Sequence, residues 1–237
     1  MVHTTLGTTG EGSTLAFAMA ADDLLAGIDF FANLPDVARS ELLAASRERP
    51  LVRGDVLFHE GDDPDELFVV VSGRIAIANK STDGRESVVA LMERGDLFGE
   101  MGLLDELPRS AEARALEPSV VLAVPYAPVR DLFNQQPDRL WGVVRLLAGR
   151  IRNTDEALAD SVFLDVTGRT AKRLLELAGD ADEFVLPVTQ EELAGMVGAS
   201  RERVNKAISS FIRLGWLDQH ERRYKIVQRD RLALRAR

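Results

Sequence analysis

Between Leu51 and Pro125 the chain is interrupted at near-regular intervals by glycine-centred turns: Arg53-Gly54-Asp55, Glu60-Gly61-Asp62, Ser72-Gly73-Arg74, Asp83-Gly84-Arg85 and Arg94-Gly95-Asp96. Apolar, β-branched runs lie between them, such as Leu67-Phe68-Val69-Val70-Val71, Ile75-Ala76-Ile77 and Val120-Val121-Leu122-Ala123-Val124. Short strands with a turn signal every few residues predict an antiparallel sandwich or jelly-roll barrel. After Pro137 the period changes. Leu140, Val144, Leu147, Ile151, Thr154, Leu158 and Ser161 step alternately by four and three residues, a heptad seam on one long helix. A seam of that length predicts a parallel two-fold dimer; its N-terminal part can also bury against the β-domain in cis. Thr154 is the polar interruption, and a polar residue in such a seam tends to set register rather than add stability.

Composition removes several classes of function. With no cysteine the chain has no disulfide, thiolate metal site or nucleophilic thiol. His3, His59 and His220 are too scattered to suggest a metal or haem site, and His59 reads as a solvated rim residue. No apolar run reaches the roughly 18 residues of a membrane span, and no signal peptide is evident, so a cytoplasmic location is expected. The net charge of −9 is unevenly spread. Residues 1–166 carry 15 Lys+Arg against 28 Asp+Glu, whereas residues 167–237 carry 14 against 10, and only the basic back half is suited to approach a polyanion.

Two segments carry chemistry. The first is Phe98 to Ala111, FGEMGLLDELPRSA, which follows the strand-like Ser87–Met92 run. A glycine followed by a helical turn exposes backbone N–H groups to an anion. Arg109 adds a planar fork of donors and Ser110 a hydroxyl, while the Glu100 carboxylate can only accept and so suits a sugar hydroxyl. One anion site beside one hydroxyl acceptor fits a nucleotide with a singly charged phosphate.

The second segment opens at Val188-Thr189-Gln190-Glu191-Glu192, a capping box with Thr189 as N-cap and Glu192 three residues on. A helix over 190–197, the turn Gly198-Ala199-Ser200 and a second helix from Arg201 to about Leu214 make a helix-turn-helix. Val204, Ala207, Ile208 and Phe211 form its buried face; Glu202, Lys206 and Arg213 point away, with Arg203 and Asn205 on the flanks. Arg or Lys can donate to guanine, and Glu can accept from cytosine. The segments Gly215-Trp216-Leu217 and Arg222 to Val227 read as a two-stranded wing whose arginines neutralise phosphates.

The string Phe98-Gly99-Glu100 … Pro108-Arg109-Ser110-Ala111 resembles the phosphate-binding cassette of the cyclic-AMP receptor protein (CRP/FNR-type) family of transcriptional regulators. Phe163 to Arg169, with Gly168 as a helix breaker, matches that family's interdomain hinge, and Ser200-Arg201-Glu202 with Lys206 its recognition helix. The resemblance implies an α+β chain: an arm over 1–20, a cyclic-nucleotide-binding β-roll over 21–136, a dimerisation helix over 137–163, a hinge over 164–168 and a winged helix-turn-helix over 169–237. A helical patch is expected from Asp22, and the first helix of the last domain over Thr170 to Ala178.

By the same resemblance Gly99, Glu100, Met101, Arg109, Ser110, Ala111, Thr154 and Asp155 hold the ligand. Thr154 would meet the base amino group. Asp155 departs from the serine of the best-known member and keeps cyclic GMP open beside cyclic AMP. Thr189, Gln190, Ser200, Arg201, Glu202, Arg203, Asn205 and Lys206 are the implied DNA-binding set. Arg201 and Lys206 would read guanines, and Glu202 a cytosine, in a TGTGA-like half-site. Arg203 replaces a common threonine and suggests a shifted preference or an added phosphate contact. The implied partners are double-stranded DNA, a cyclic nucleotide, a second copy of the chain and RNA polymerase, with no conventional cofactor and no membrane. A ligand-independent DNA-binding protein of the same fold stays open. An enzyme is not expected, since no nucleophile–base set, metal cluster or P-loop is present.

Overall fold

The structure is a computed structural model that describes residues 21–31, 34–80 and 86–237. The expected arm over 1–20 and the Asp83-Gly84-Arg85 turn lie outside the described residues.

Two four-stranded antiparallel sheets form the front of the molecule. Their strands are β1 (Arg47–Leu51), β2 (Val56–Phe58), β3 (Glu66–Ser72), β4 (Ile75–Lys80), β5 (Glu86–Met92), β6 (Leu97–Phe98), β7 (Glu112–Ala115) and β8 (Ser119–Pro125). One sheet has the order β1-β8-β3-β6 and the other β2-β7-β4-β5. Successive side chains on a strand point to opposite faces, which explains why the Leu67–Val71 run has no polar alternation. Phe68 and Val70 point into the sandwich with Ile75, Ala113 and Val121. Leu67, Val69 and Val71 point the other way, under helices. Both faces of β3 are therefore buried.

The covering helices are α1 (residues 21–27), α2 (Asp36–Ala45), α4 (Tyr126–Gln135) and the long α5 (Leu140–Phe163), with the short α3 (Met101–Asp105) in the cassette. Leu25, Phe30, Phe31, Val129, Phe133 and Val143 fill this second core. Gly142 makes a close approach: a Cβ there would stand 2.4 Å from the Asp29 carbonyl oxygen, so any side chain would push α5 away from the turn that follows α1.

The heptad stripe lies apart from that contact. Leu140, Val144, Ile151 and Leu158 are 40, 48, 62 and 62% exposed. Burial against the β-domain falls instead on Val143, with Leu146 and Leu147 partly buried beside it, so of the expected seam only Leu147 shares in it.

A two-residue link, Leu164 and Asp165, joins α5 to α6 (Val166–Ala178). The sequence suggested that Gly168 breaks the helix and that the next begins at Thr170. Instead Asp165 acts as N-cap, accepting from the Gly168 N–H at 2.8 Å, and draws Gly168 into the first turn. The back of the molecule then comprises β9 (Glu183–Val185), α7 (Gln190–Val197), α8 (Arg201–Arg213), β10 (Leu217–His220), β11 (Arg223–Ile226) and α9 (Arg229–Arg235). Strand β9 adds to the wing in the order β10-β11-β9. Its core, around Leu174, Leu193, Val204, Phe211 and Tyr224, is continuous with Ala76, Ala78 and Val88 of the sandwich.

Candidate ligand cleft and nucleic-acid interface

The cassette runs from β6 through Gly99 and α3 back into β7. Gly99 has φ +76°, and a Cβ there would come within 2.8 Å of Arg109 Nη1, so both conformation and space call for glycine. Arg109 is 8% exposed. Its Nη1 donates to the Gly99 carbonyl at 2.7 Å and to the Tyr126 hydroxyl at 3.1 Å, and its Nη2 to the Glu66 carbonyl at 2.6 Å. The Tyr126 hydroxyl itself donates to the Gly99 carbonyl. The Phe58 ring lies 4.2 Å from the guanidinium carbon and adds a cation–π contact. This frame fixes the orientation of the fork before any anion arrives. Burial raises the Tyr126 phenol above its ordinary value, against the pull of Arg109.

Glu100 is fully buried. Its Oε1 accepts from Arg150 Nη1 on α5 at 2.5 Å, and Arg150 Nη2 donates to the Leu97 carbonyl at 2.8 Å. Glu100 Oε2 is buried with no hydrogen-bond partner among the described residues. Burial holds this carboxyl above the usual carboxylate range; the Arg150 guanidinium opposes the shift. An unpaired buried acceptor is costly, and a hydroxyl donor would relieve it.

In front of these groups lies a cleft of about 1320 Å³, lined by Gly99, Met101, Arg109, Ser110, Ala111 and Thr154 among the expected residues. Ser110 Oγ and Met101 Sδ sit 3.7 Å apart at its mouth. The Thr154 hydroxyl donates to the Arg150 carbonyl at 2.9 Å. Asp155 is exposed on the neighbouring face of α5 and does not line the cleft within one chain, because adjacent helical positions diverge by about 100°. Sequence reasoning missed Arg150, Tyr126, Asn153 and Ala157. Arg150 carried a usable signal: it lies four residues before Thr154 and hence on the same helix face.

In the back half the capping box is complete. Thr189 Oγ1 accepts from the Glu192 N–H at 3.1 Å, and Glu192 Oε2 from the Thr189 N–H at 2.6 Å. Gly198 (φ +67°) ends α7, and Ser200 caps α8 by accepting from the Arg203 N–H. Arg201, Glu202, Arg203 and Lys206 project into solvent, with Asn205 half-buried beside them. Thr189 and Gln190, both in the expected DNA-binding set, also have partners inside the fold. Thr189 is the cap, and Gln190 Nε2 donates to the buried Tyr224 hydroxyl of β11 at 2.6 Å. Two wing arginines are likewise engaged: Arg222 donates to the Leu186 carbonyl, and Arg223 pairs with Glu183.

Among the described residues no helix is long and apolar enough to cross a membrane, and no cluster could hold a metal ion.

Comparisons with known proteins match this geometry at both ends. Residues 48–136 match the cyclic nucleotide-binding domain family, and residues 168–237 the Crp-like helix-turn-helix domain family. The CRP-like cAMP-activated global transcriptional regulator of Mycobacterium tuberculosis is 35% identical over 223 residues, covering 91% of this chain and all of the relative. The cAMP-activated global transcriptional regulator Vfr of Pseudomonas aeruginosa is 34% identical over 72% of this chain and 84% of its own length. Among solved structures, the c-di-GMP-responsive global regulator CLP of Xanthomonas campestris superposes with a TM-score of 0.70 at 25% identity, covering 81% of this chain and 99% of that one. A nucleotide-type cleft in front, an open recognition helix behind and full-length relatives that regulate transcription rather than catalyse a reaction lead to one assignment: the chain belongs to the cyclic-AMP receptor protein (CRP/FNR) family of DNA-binding transcriptional regulators.

Proposed function

We propose that the protein is a homodimeric regulator whose affinity for palindromic DNA is set by cyclic AMP. The observation that carries the ligand reading is Glu100 Oε2, a fully buried acceptor without a partner, set behind the cleft that Arg109 and Ser110 line. A ribose hydroxyl donates to Glu100, the phosphate meets Arg109 and Ser110, the backbone at Gly99 and the neighbouring Met101 and Ala111 shape the wall, and the base faces Thr154 on α5. The names of the relatives, cAMP-activated in M. tuberculosis and P. aeruginosa, favour cyclic AMP. Cyclic GMP loses its main argument within one chain, since Asp155 stands outside the cleft.

The exposed stripe Leu140, Val144, Ile151 and Leu158, continued by Val162 and Phe163 at 67 and 82% exposure, supports a second copy docked along α5 with Thr154 setting register. In such a dimer the ligand acts through its differential affinity for two arrangements of α5 and the link at Leu164-Asp165. A coupling of ~1–3 kcal/mol would change DNA affinity roughly 5–150-fold. Arg201 and Lys206 read guanines and Glu202 a cytosine in TGTGA-like half-sites one DNA turn apart, with Arg203 free for a phosphate.

Calorimetric titration with cyclic AMP, combined with sedimentation equilibrium, tests the reading. One nucleotide bound per chain of a dimer is the expected result; no heat of binding, or a monomer at working concentration, would refute it.

A further inference from the structure

The cassette leads directly into β7, and β7 carries an ion-pair chain that ends on the helix-turn-helix. Glu112, one residue after Ala111, is 4% exposed, and its Oε2 lies 3.1 Å from His59 Nδ1. Its Oε1 lies 3.7 Å from Arg114 Nη1, and Arg114 Nη2 donates to Glu192 Oε1 at 3.0 Å. Glu192 is the residue whose other oxygen closes the α7 capping box. One carboxylate thus caps the first helix of the DNA-binding motif and clasps it to the nucleotide-binding sandwich. Both side chains of the clasp are largely shielded, at 18 and 14% exposure, so water screens the pair less than it would a surface bridge.

The strand that carries Arg114 is held on both sides. Arg114 pairs in register with Ala76 of β4 and Val56 of β2, so a shift of the cassette's return strand moves the guanidinium with it rather than being absorbed by a loop. A second contact lies along α7, where Ser87 Oγ on β5 donates to the Gly195 carbonyl at 3.2 Å. Ala76, Ala78 and Val88 beneath are continuous with the core of the back domain.

From this geometry we infer that Arg114 is a positioning residue: its pair with Glu192 transmits the state of the nucleotide cassette to the first turn of α7 and so sets how the recognition helix is presented to DNA. This rests on the nucleotide-controlled reading above. The path leaves α5 and the Leu164-Asp165 link out, and gives each chain its own route from cassette to motif.

Two substitutions separate this role from simple support. Glu192→Gln keeps the capping box, because a glutamine oxygen can still accept from the Thr189 N–H, but removes the charge that faces Arg114. Arg114→Gln removes the other partner and leaves α7 untouched. The quantity to read is the ratio of DNA affinities with saturating cyclic AMP and without it, in wild type, both single variants and the double variant. Each single variant is expected to change the ratio by about five-fold or more, the low end of ordinary coupling, with no further change in the double variant. Ratios within two-fold of wild type in both singles, whatever happens to melting temperature, would overturn the inference.

Backbone hydrogen exchange in nucleotide-free protein provides a readout that does not depend on the ligand. Both variants should speed exchange in the first turn of α7 and in β5, whereas a change confined to β7 would overturn the inference. A wild-type ratio of one would refute the ligand reading instead, and the exchange pattern would then decide the clasp by itself.

Discussion

Arg109 and Arg201 are the same residue type in opposite settings. Arg109 is held by three hydrogen bonds and an aromatic ring and is almost without solvent contact. Arg201, at the start of α8, stands in water. On the proposed function the cassette is a preorganised site whose binding residue is also a structural one, so ligand and fold would draw on the same contacts. The recognition helix separates the two tasks: Val204, Ala207, Ile208 and Phe211 hold it while its charged face contributes little to the fold. Burial in one region and exposure in the other therefore predict different penalties for the same mutation.

Arg109→Ala should have the largest effect. It removes the anion's partner, takes the Arg109 donor from the Glu66 carbonyl and leaves the Gly99 carbonyl with the Tyr126 hydroxyl, so cyclic AMP affinity should fall by about 100-fold or more and folding stability by ~1–3 kcal/mol. Arg201→Ala should cost less than ~0.5 kcal/mol of stability. Thermal melts of the two variants side by side test the contrast directly; equal losses of stability would break it. Next comes Glu202→Ala. Its expected signature is a loss of discrimination of roughly 1–3 kcal/mol at one base pair, seen in competition binding with single-base operator variants. A uniform loss across all sequences would show that this face meets only phosphates.

The acid response of the cassette follows from Glu100. Burial raises this carboxyl in the folded protein, so its contribution to folding is most favourable below the unfolded value and is lost as pH rises through the raised folded one. Ligand binding runs the other way, because the ionised carboxylate is the stronger acceptor for a hydroxyl donor. Cyclic AMP affinity should therefore weaken as pH is lowered from neutrality towards the ordinary carboxylate value of 4.5, and Glu100→Gln should flatten that dependence. A pH-independent affinity in wild type would remove Glu100 from the site. The smallest expected effect is that of Arg203→Ala, a near-uniform weakening across sequences with the salt dependence reduced by about one phosphate contact.

The parts that were legible in the sequence are those governed by local periodicity and turn chemistry. The 3.6-residue pattern of α8, the Thr189–Glu192 box and the Gly198 stop define the motif with no long-range information. The glycine turns and apolar runs likewise announce the strands of the sandwich. Long-range pairing was not legible. Nothing near Glu100 in the chain indicates that Arg150, fifty residues on, shares its carboxylate, and nothing near Gln190 announces Tyr224. Gly168 misled because a capping aspartate three residues earlier outweighs a glycine's weak helix preference. The strand β9 and helix α9, at 3 and 7 residues, are too short to show a period of their own.

On the proposed function a nucleotide in the front cleft sets the DNA affinity of the back. The most direct measurement titrates the protein into a labelled palindrome with TGTGA-type half-sites, at one fixed salt concentration, with no nucleotide, cyclic AMP or cyclic GMP. Cyclic AMP alone is expected to shift the affinity, by roughly 5–150-fold. Equal, sequence-specific binding in all three would contradict it and leave a regulator that reads DNA without reference to its cleft.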